Sequence, residues 1–221
     1  MTRNTSSPVP PKAASKVAGP GRPKDLGKRA AILDAAKLLF PRDGFAGISM
    51  DQIAAEAGVS KLTVYSHFGD KEALFTATVR AKCEEMLPDD LFQQERKGPL
   101  AAQLHAIATG FFALISSDEA ISTHRMMIAP GNADDPLRKL FWEAGPQRTH
   151  DAFAAFLQAR VDSDELQIAD VARASEQFFG LLKGEMHSMM MCGLCDKPAR
   201  GDINAHIDAT VDMFLRAYAK R

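Results

Sequence analysis

Residues 58–75 read GVSKLTVYSHFGDKEALF, the pattern of a tight turn, a short helix and the start of a longer helix. Gly58 suits the turn because a residue without Cβ adopts a positive φ at no steric cost. Ser60 and Asp70 belong to the residue types that accept hydrogen bonds from the free amides of a helix start, so each is predicted to cap the helix that follows it. The sequence therefore predicts a helix over 61–68 and a further helix after Asp70.

Two helices are predicted before this turn. Apolar residues recur at helical spacing from about Leu26 to Phe40, and Pro41 with Gly44 is expected to end that helix. Ser49 and Gln52 form the Ser-x-x-Gln pattern of a capping box, which predicts that a second, short helix begins there. A short helix, a tight turn and another short helix make a helix-turn-helix, whose second helix can enter the major groove of DNA.

The predicted helix over 61–68 has one face for the core and another for DNA. Its spacing turns Val64 and Phe68 inward, and the other side chains then point elsewhere. Lys61 can donate to phosphate or guanine, whereas Leu62 can make only apolar contacts with bases. Lys71 adds positive charge beside backbone amides that already favour an anion. The predicted DNA-binding residues of this region are Ser49, Ser60, Lys61, Leu62, Thr63, Tyr65, Ser66, His67 and Lys71.

The first third of the chain is basic and the remainder is acidic. Residues 1–85 hold 13 Lys or Arg against 9 Asp or Glu, and the rest of the chain holds 14 against 19. Such an asymmetry either reflects a DNA-binding N-terminal part or is ordinary surface variation. Residues 1–24 have five basic and no acidic side chains and are predicted to form a disordered tail. The tail either places Arg22 in a minor groove beside the helix-turn-helix or serves only to keep the protein soluble.

The predicted fold class is all-α, with about nine helices. Beyond residue 88 the apolar spacing predicts helices near 100–116, 119–128, 137–160, 168–194 and 202–219. Gly145 and Pro146 are expected to kink or split the third of these. The predicted domains are a tail at 1–24, a DNA-binding domain at 25–75 and a regulatory and dimerisation domain at 76–221.

Several functional classes do not fit the sequence. The three cysteines are too few for the disulfide framework of a secreted protein, and there is no signal peptide or apolar run long enough to span a membrane. A soluble, cytoplasmic protein is expected. No carboxylate pair, activated nucleophile or phosphate-binding Gly loop points to an enzyme, and no cofactor or metal is expected.

The residues quoted above resemble the helix-turn-helix signature of the TetR family of transcriptional regulators. The likeness covers about residues 25–80, including ILDAA at 32–36 and GF at 44–45. LFWEAGP at 140–146 and SEQFFGLLKG at 175–184 are similar to the AefR-like or AcrR-like branch. The resemblance implies an Ω-shaped homodimer whose last two helices form a four-helix interface. The implied interface residues are Phe179, Leu182, Met186, Met189, Val211 and Phe214.

The resemblance also implies a repressor that leaves a palindromic operator in double-stranded DNA when a small-molecule inducer binds the helical body. We expect an apolar or amphipathic inducer, because aromatic and Met side chains line adaptable apolar cavities. For each candidate ligand-binding side chain, the alternative is a role in the core. A DNA-binding protein without small-molecule control is the alternative function. The candidate ligand-binding residues are His105, Phe111, Phe112, Met126, Trp142 and Phe178.

Two further features lie at the end of the penultimate helix. Met186, Met189, Met190 and Met191 form a cluster that serves either dimer packing or a pocket wall. Cys192 and Cys195 have the Cys-x-x-Cys spacing of redox pairs and metal half-sites. These cysteines have a structural role, a redox role, or a metal-binding role in which His187 or His206 supplies further ligands.

Overall fold

In a computed structural model, residues 25–93, 98–129 and 136–220 are described. The tail with Arg22 lies outside these residues. The described chain consists of helices connected by short loops, and the predicted all-α class is confirmed. The helices are α1 (Leu26–Gly47), α2 (Met50–Glu56), α3 (Lys61–Phe68), α4 (Lys71–Met86), α5 (Leu100–Ile115), α6 (Asp118–Ile128), α7 (Pro136–Trp142), α8 (Arg148–Asp162), α9 (Val171–Cys192) and α10 (Arg200–Tyr218).

Polar side chains cap most of the helix starts, as their residue types predict. Ser49 and Gln52 form the expected capping box, in which the Gln52 amide donates to Ser49 Oγ at 3.3 Å and the Ser49 amide donates to Gln52 Oε1 at 2.8 Å. Asp70 Oδ1 accepts from the Ala73 amide at 2.7 Å at the start of α4. These bonds satisfy amides that have no partner within the helix, and so they fix where each helix begins.

The first helix extends beyond its predicted end. Pro41 lies inside α1, which continues to Gly47 with a break at Gly44, where φ is 75° and ψ is 159°. Phe40 and Phe45 flank this break with their rings stacked at 5.8 Å, and the Phe75 ring contacts both. The aromatic packing holds the chain in place after Pro41, where propensity alone predicts a stop.

The helices enclose two apolar cores. We call α1 to α3 with the N-terminal half of α4 the head, and the remaining helices the body. The head core contains Ile32, Phe40, Ile53, Val64 and Phe75, together with Met127 and Leu137 from the body. The head is therefore fastened to α6 and α7 by shared apolar packing.

The body core is built around α5, α8, α9 and α10. Phe153 lies between Phe178 and Phe179, with ring centroids 4.7 Å and 5.1 Å away, and Phe214 completes the group. Gly145 and Pro146 lie in a π-helical turn, Glu143–Gln147, that joins α7 to α8. A single extra residue in a helical turn accommodates the Pro, which lacks an amide hydrogen, without breaking the helix apart.

Helix α4 runs through the predicted domain boundary at residues 75 and 76. Leu74 and Phe75 lie in the head core, whereas Cys83 and Met86 pack against the body core. Among the described residues no single helix is long and apolar enough to span a membrane, and α5 with α6 passes that test only as a pair bent by 65°.

Helix α9 is broken in its middle at Gly184, where φ is 48° and ψ is −158°. His206 on α10 fills the space beside the break, since its Nε2 lies 2.9 Å from the Leu182 carbonyl oxygen. A Cβ at position 184 would lie 3.3 Å from His206 Cε1. Both the backbone conformation and the close approach of α10 favour glycine at this position.

We predict that Gly184→Ala lowers the free energy of unfolding by about 1–3 kcal/mol, because a residue with Cβ is strained in this conformation. Urea unfolding followed by circular dichroism measures the change. Gly201→Ala is the control, since Gly201 is exposed in the first turn of α10 and no atom lies near its Cβ position. Equal effects of the two substitutions would contradict the assigned strain.

Candidate functional site

The turn between α2 and α3 is held by backbone hydrogen bonds and one side-chain cap. Gly58 has a φ of 65°, and the Val59 amide donates to the Ala54 carbonyl at 3.0 Å. Ser60 Oγ accepts from the Thr63 amide at 3.2 Å and lies 2.8 Å from Thr63 Oγ1. The turn geometry thus fixes the direction in which α3 leaves α2.

Helix α3 buries one side and exposes the other. Val64 is fully buried in the head core, and Phe68 packs at its edge. Leu62 is 79% exposed and Tyr65 is 42% exposed, although both have large apolar surfaces. An exposed Leu on a short helix that follows a tight turn is suited to contact with a partner.

Two of the polar candidates of α3, Lys61 and Ser66, bind to neighbouring groups, whereas a third, His67, is packed within the head. Lys61 Nζ forms an ion pair with Asp51 Oδ2 at 2.8 Å, and this contact raises the pKa of Lys61. Ser66 Oγ donates to the Thr63 carbonyl at 2.8 Å. His67 is half-buried, and its Nδ1 is buried without a hydrogen-bond partner among the described residues.

The two remaining candidates lie at the starts of the helices that come before and after α3. Ser49 is exposed but occupied by its capping box, in which Ser49 Oγ also lies 2.8 Å from Gln52 Oε1. Lys71 Nζ lies 4.5 Å from the centroid of the Phe45 ring, and partial burial lowers the pKa of its ammonium. Seven of the nine described DNA-binding candidates thus belong to α3 or its N-cap, while Ser49 caps α2 and Lys71 begins α4.

A cavity lies between the head and the body. Its volume is about 870 Å³, counting the space open to solvent at its mouth. We call it the seam cavity because helices α1 and α4 form one wall and α5, α6, α8 and α9 form much of the rest. Its aromatic lining consists of Phe40, Phe75, Phe111, Phe141, His124 and His150.

Three lysines and one glutamate also line the seam cavity. Lys37 Nζ pairs with Glu85 at 3.0 Å, and Lys82 Nζ lies 3.6 Å from Glu119. Lys183, from α9, has no hydrogen-bond or ion-pair partner in the part of the chain that the structure describes. Its burial lowers the pKa of the ammonium.

Most of the predicted ligand-binding residues lie away from this cavity. Phe111 lines it, but Phe112 packs against His206 with ring centroids at 5.9 Å, and Phe178 belongs to the body core. His105 Nε2 pairs with Asp208 at 3.0 Å. The remaining two candidates are Met126, whose sulfur lies 3.2 Å from the Phe45 amide nitrogen, and Trp142, which is half exposed and stacks on His150 at 6.4 Å.

Sequence reasoning missed most of the cavity wall. Phe40 and Phe75 fall within the predicted DNA-binding domain at 25–75, and Lys183 carried no signal in a helix of mixed composition. Only the packing of α1 and α4 against the body brings these side chains together. The periodicity of each helix separately does not contain that information.

The predicted dimer-interface residues need a correction. Phe179, Leu182, Val211 and Phe214 are all buried in the core of a single chain, so they do not form a surface for a second copy. The helical spacing identified the apolar face of α9 and α10, and α5 and α8 cover that face. Met186 is half-buried. The large apolar side chains that α9 and α10 expose are Leu181, Met189 and Met213.

Among the described residues, the Cys-x-x-Cys pair has neither a disulfide nor further metal ligands beside it. Cys192 is exposed, Cys195 is half-buried, and both are free thiols. Within the described ranges no three His, Cys, Asp or Glu side chains lie together as a metal site requires. His187 instead packs against His124, with ring centroids 6.2 Å apart, and its Nε2 is buried without a partner there.

Two family models match the chain. Residues 32–78 match "Bacterial regulatory proteins, tetR family", and residues 102–220 match "AefR-like transcriptional repressor, C-terminal domain". The second match covers more than half of the chain. Of the two branches suggested by the sequence, the match identifies the AefR-like one.

Individual relatives agree with the two models. The chain is 41% identical over 75 residues to the HTH-type transcriptional regulator RutR of Escherichia coli, which is 34% of this chain and 35% of RutR. It thus spans about a third of the length of the curated relatives it matches. All of these relatives are named as transcriptional regulators, in agreement with the prediction that the chain is not an enzyme.

Solved structures match over most of the chain. A TetR-family regulator from Mesorhizobium loti superimposes with a TM-score of 0.72 at 27% identity, over 87% of this chain and 97% of that protein. The "Flavonoid-responsive Regulator FrrA" superimposes with a TM-score of 0.68 at 31% identity, over 88% of this chain and 98% of that protein.

We predict that His187 makes the fold sensitive to acid. Burial, with smaller effects of His124 and Lys183, lowers the pKa of His187 to about 4. A neutral buried His must gain a proton on unfolding, so its contribution is fully present above the unfolded pKa of about 6.5 and is lost as pH falls toward 4. We expect His187→Gln to flatten the fall in unfolding free energy across that window, by up to about 3 kcal/mol.

Thermal unfolding at a series of pH values between 4 and 7 measures this difference. His105→Gln is the matched control, because His105 is a partly exposed His that pairs with Asp208 on the surface. A pH profile of the His187 variant that parallels that of the unchanged protein would show that this residue is not responsible.

Proposed function

The chain belongs to the TetR family of bacterial transcriptional regulators, with an AefR-like C-terminal domain, and on that premise we propose that it is a repressor released from its operator by a small molecule. The observation that carries the proposal is the seam cavity, whose walls come from both the head and the body. A molecule bound there contacts the helices that position the DNA-binding residues.

The exposed face of α3 supports recognition of DNA. Leu62 and Tyr65 project from a short helix whose opposite side is fixed by Val64 in the head core. Rigid support of this kind is required of a helix that reads base edges, because a shift of its axis would misplace every contact. Lys61, Thr63 and Lys71 then supply contacts to phosphates, and Lys61 exchanges Asp51 for a phosphate on binding.

A route from the seam cavity to α3 runs through α1 and α4. Phe40 and Phe75 line the cavity and also belong to the head core, in which Val64 anchors α3. A ligand between these rings and the body changes the packing that sets the angle of the head. The DNA-binding conformation is disfavoured if the ligand binds the other conformation better, and a coupling of about 1–3 kcal/mol weakens DNA binding by about 5–150-fold.

A homodimer completes the proposal. The outer faces of α9 and α10 expose Leu181, Met189 and Met213, which suit packing against a second copy. Two copies related by a two-fold axis present two α3 helices to half-sites about 34 Å apart, or a multiple of that distance. The operator is then a palindrome in double-stranded DNA, and the protein acts in the cytoplasm, where bacterial DNA lies.

Support for ligand control also comes from a relative. FrrA, which resembles this chain over nearly its whole length, is named as flavonoid-responsive. An aromatic inducer suits the seam cavity because rings stack favourably on Phe and His side chains.

The test begins with selection of bound sequences from random duplex DNA by the full chain. We expect a palindromic site. We then expect Leu62→Glu to weaken binding to that site at least tenfold, because a carboxylate replaces an apolar contact close to phosphates. Fluorescence anisotropy of a labelled duplex measures the affinity, and Ile128→Glu is the control, since Ile128 is similarly exposed at the end of α6.

The same assay tests ligand control. Aromatic compounds that raise the melting temperature of the protein are added to the complex with the selected duplex, and we expect at least one of them to weaken DNA binding about 5–150-fold. Compounds that bind the protein and leave the DNA affinity unchanged would favour a DNA-binding protein without small-molecule control. If no sequence is selected, the result contradicts the proposal that the protein regulates transcription by binding an operator.

A further inference from the structure

Among the described residues, one cation that lines the seam cavity has no counter-charge within ion-pair distance. Lys37 and Lys82 line the cavity but are paired with Glu85 and Glu119, at 3.0 Å and 3.6 Å. Lys183 lines the cavity from α9 and, within the described ranges, has no ion-pair or hydrogen-bond partner. Lys183 therefore differs from the other two lysines of the wall, because a glutamate balances the charge of each of those.

The histidines near Lys183 do not supply a further charge. His124 and His150, on α6 and α8, line the same cavity, and burial together with the Lys183 ammonium lowers the pKa of each. Both imidazoles are thus neutral at pH 7. His187, one turn farther along α9, is neutral for the same reasons. Among the described lining residues, the unpaired positive charge is therefore that of Lys183.

Apart from the paired lysines, Glu119 and three threonines, the rest of the cavity lining is mostly apolar or aromatic. Phe40, Phe75, Phe111 and Phe141 line it, with Phe141 packed edge-on against His124 at 5.2 Å. A ligand that enters displaces the water near the Lys183 ammonium. Removing an ammonium from water is unfavourable unless an opposite charge or hydrogen-bond acceptor replaces the solvent. A wholly neutral, apolar ligand would leave that cost uncompensated.

From this arrangement we propose that the ligand is an aromatic molecule with one ionised acidic oxygen group, a carboxylate or phenolate, and that Lys183 Nζ binds this group while the rings lie against the Phe side chains. The proposal rests on the ligand-controlled function above and specifies its ligand class. Charge and ring are held by different parts of the protein: the acidic group by α9 in the body, and the ring by α1 and α4 as well as by the body.

The position of Lys183 is fixed by the break in α9. Gly184 directly follows it, and the Leu182 carbonyl that precedes it is bonded to His206 Nε2 at 2.9 Å. The backbone that precedes Lys183 is thereby tied to α10. An anion held at this point is anchored to the body, so that the far end of the ligand acts on the head helices.

The experiment compares acids with their uncharged esters. Isothermal titration calorimetry at pH 7.5 measures binding of benzoate, 2-naphthoate and 4-phenylbenzoate, each paired with its methyl ester, to the full-length protein. We expect at least one acid to bind the unchanged protein at least tenfold more tightly than its ester. Lys183→Met should remove that preference by weakening the acid at least tenfold, while ester binding changes less than threefold.

Two further variants make the result specific. Lys183→Arg keeps the charge and should retain the preference for the acid, and Lys183→Gln, which removes the charge but stays polar, replaces the Met variant if that protein does not fold. Lys139→Met removes an exposed lysine on α7 that does not line the cavity, and it should bind both probes like the unchanged protein.

The outcomes separate this inference from the function it rests on. Equal binding of each acid and its ester, or a preference that survives in Lys183→Met, overturns the assignment of the ligand class and leaves ligand control intact. If no acid or ester of any size binds, the seam cavity is not a ligand site, and both proposals are overturned.

Discussion

Helix α4 packs on two cores at once. Its N-terminal half places Leu74 and Phe75 in the head core, and its C-terminal half packs Cys83 and Met86 against the body core. Packed cores change between discrete arrangements more readily than they deform continuously. A change in packing at one end of α4 is therefore expected to reach the other end, and the head and body are not independent in this protein.

The seam cavity lies where this shared helix meets the body, and the ligand that we propose would act on the packing that links the two parts. Phe40 and Phe75 have a double role, since each lines the cavity and each belongs to the core that supports α3. Arg148 links α8 to α4 and to the segment that follows α4. Its Nη1 forms an ion pair with Glu84 at 2.5 Å, and its Nη2 forms one with Asp89 at 3.1 Å. The function we propose uses these connections: binding energy from the body is transmitted to the orientation of the DNA-reading helix.

The sequence predicted local features well and the assembly of helices less well. Capping residues such as Ser49, Ser60 and Asp70 act within a few residues of their own position, so their roles followed from residue type and spacing. The apolar face of α9 and α10 was also found, but spacing alone does not show whether that face meets the chain's own α5 or a second copy, and Phe179 and Phe214 were assigned to the wrong partner. The seam cavity depends on how α1, α4 and α9, which are far apart along the chain, are placed around it, and only Phe111 of its lining was predicted. Pro41 shows the same limit, because the packing of Phe40, Phe45 and Phe75 continues α1 beyond the point at which propensity ends it.

Amide hydrogen exchange tests most directly whether a ligand bridges the head and the body, because exchange rates report the local opening of each helix separately. The rates are compared in the free protein and in the presence of a saturating ligand that releases DNA. Occupation of the seam cavity should slow exchange in α1 and along the whole of α4, from Lys71 to Met86, as well as in the body helices. Protection confined to α5, α8 and α9, with α1 and the N-terminal half of α4 unchanged, would contradict the account.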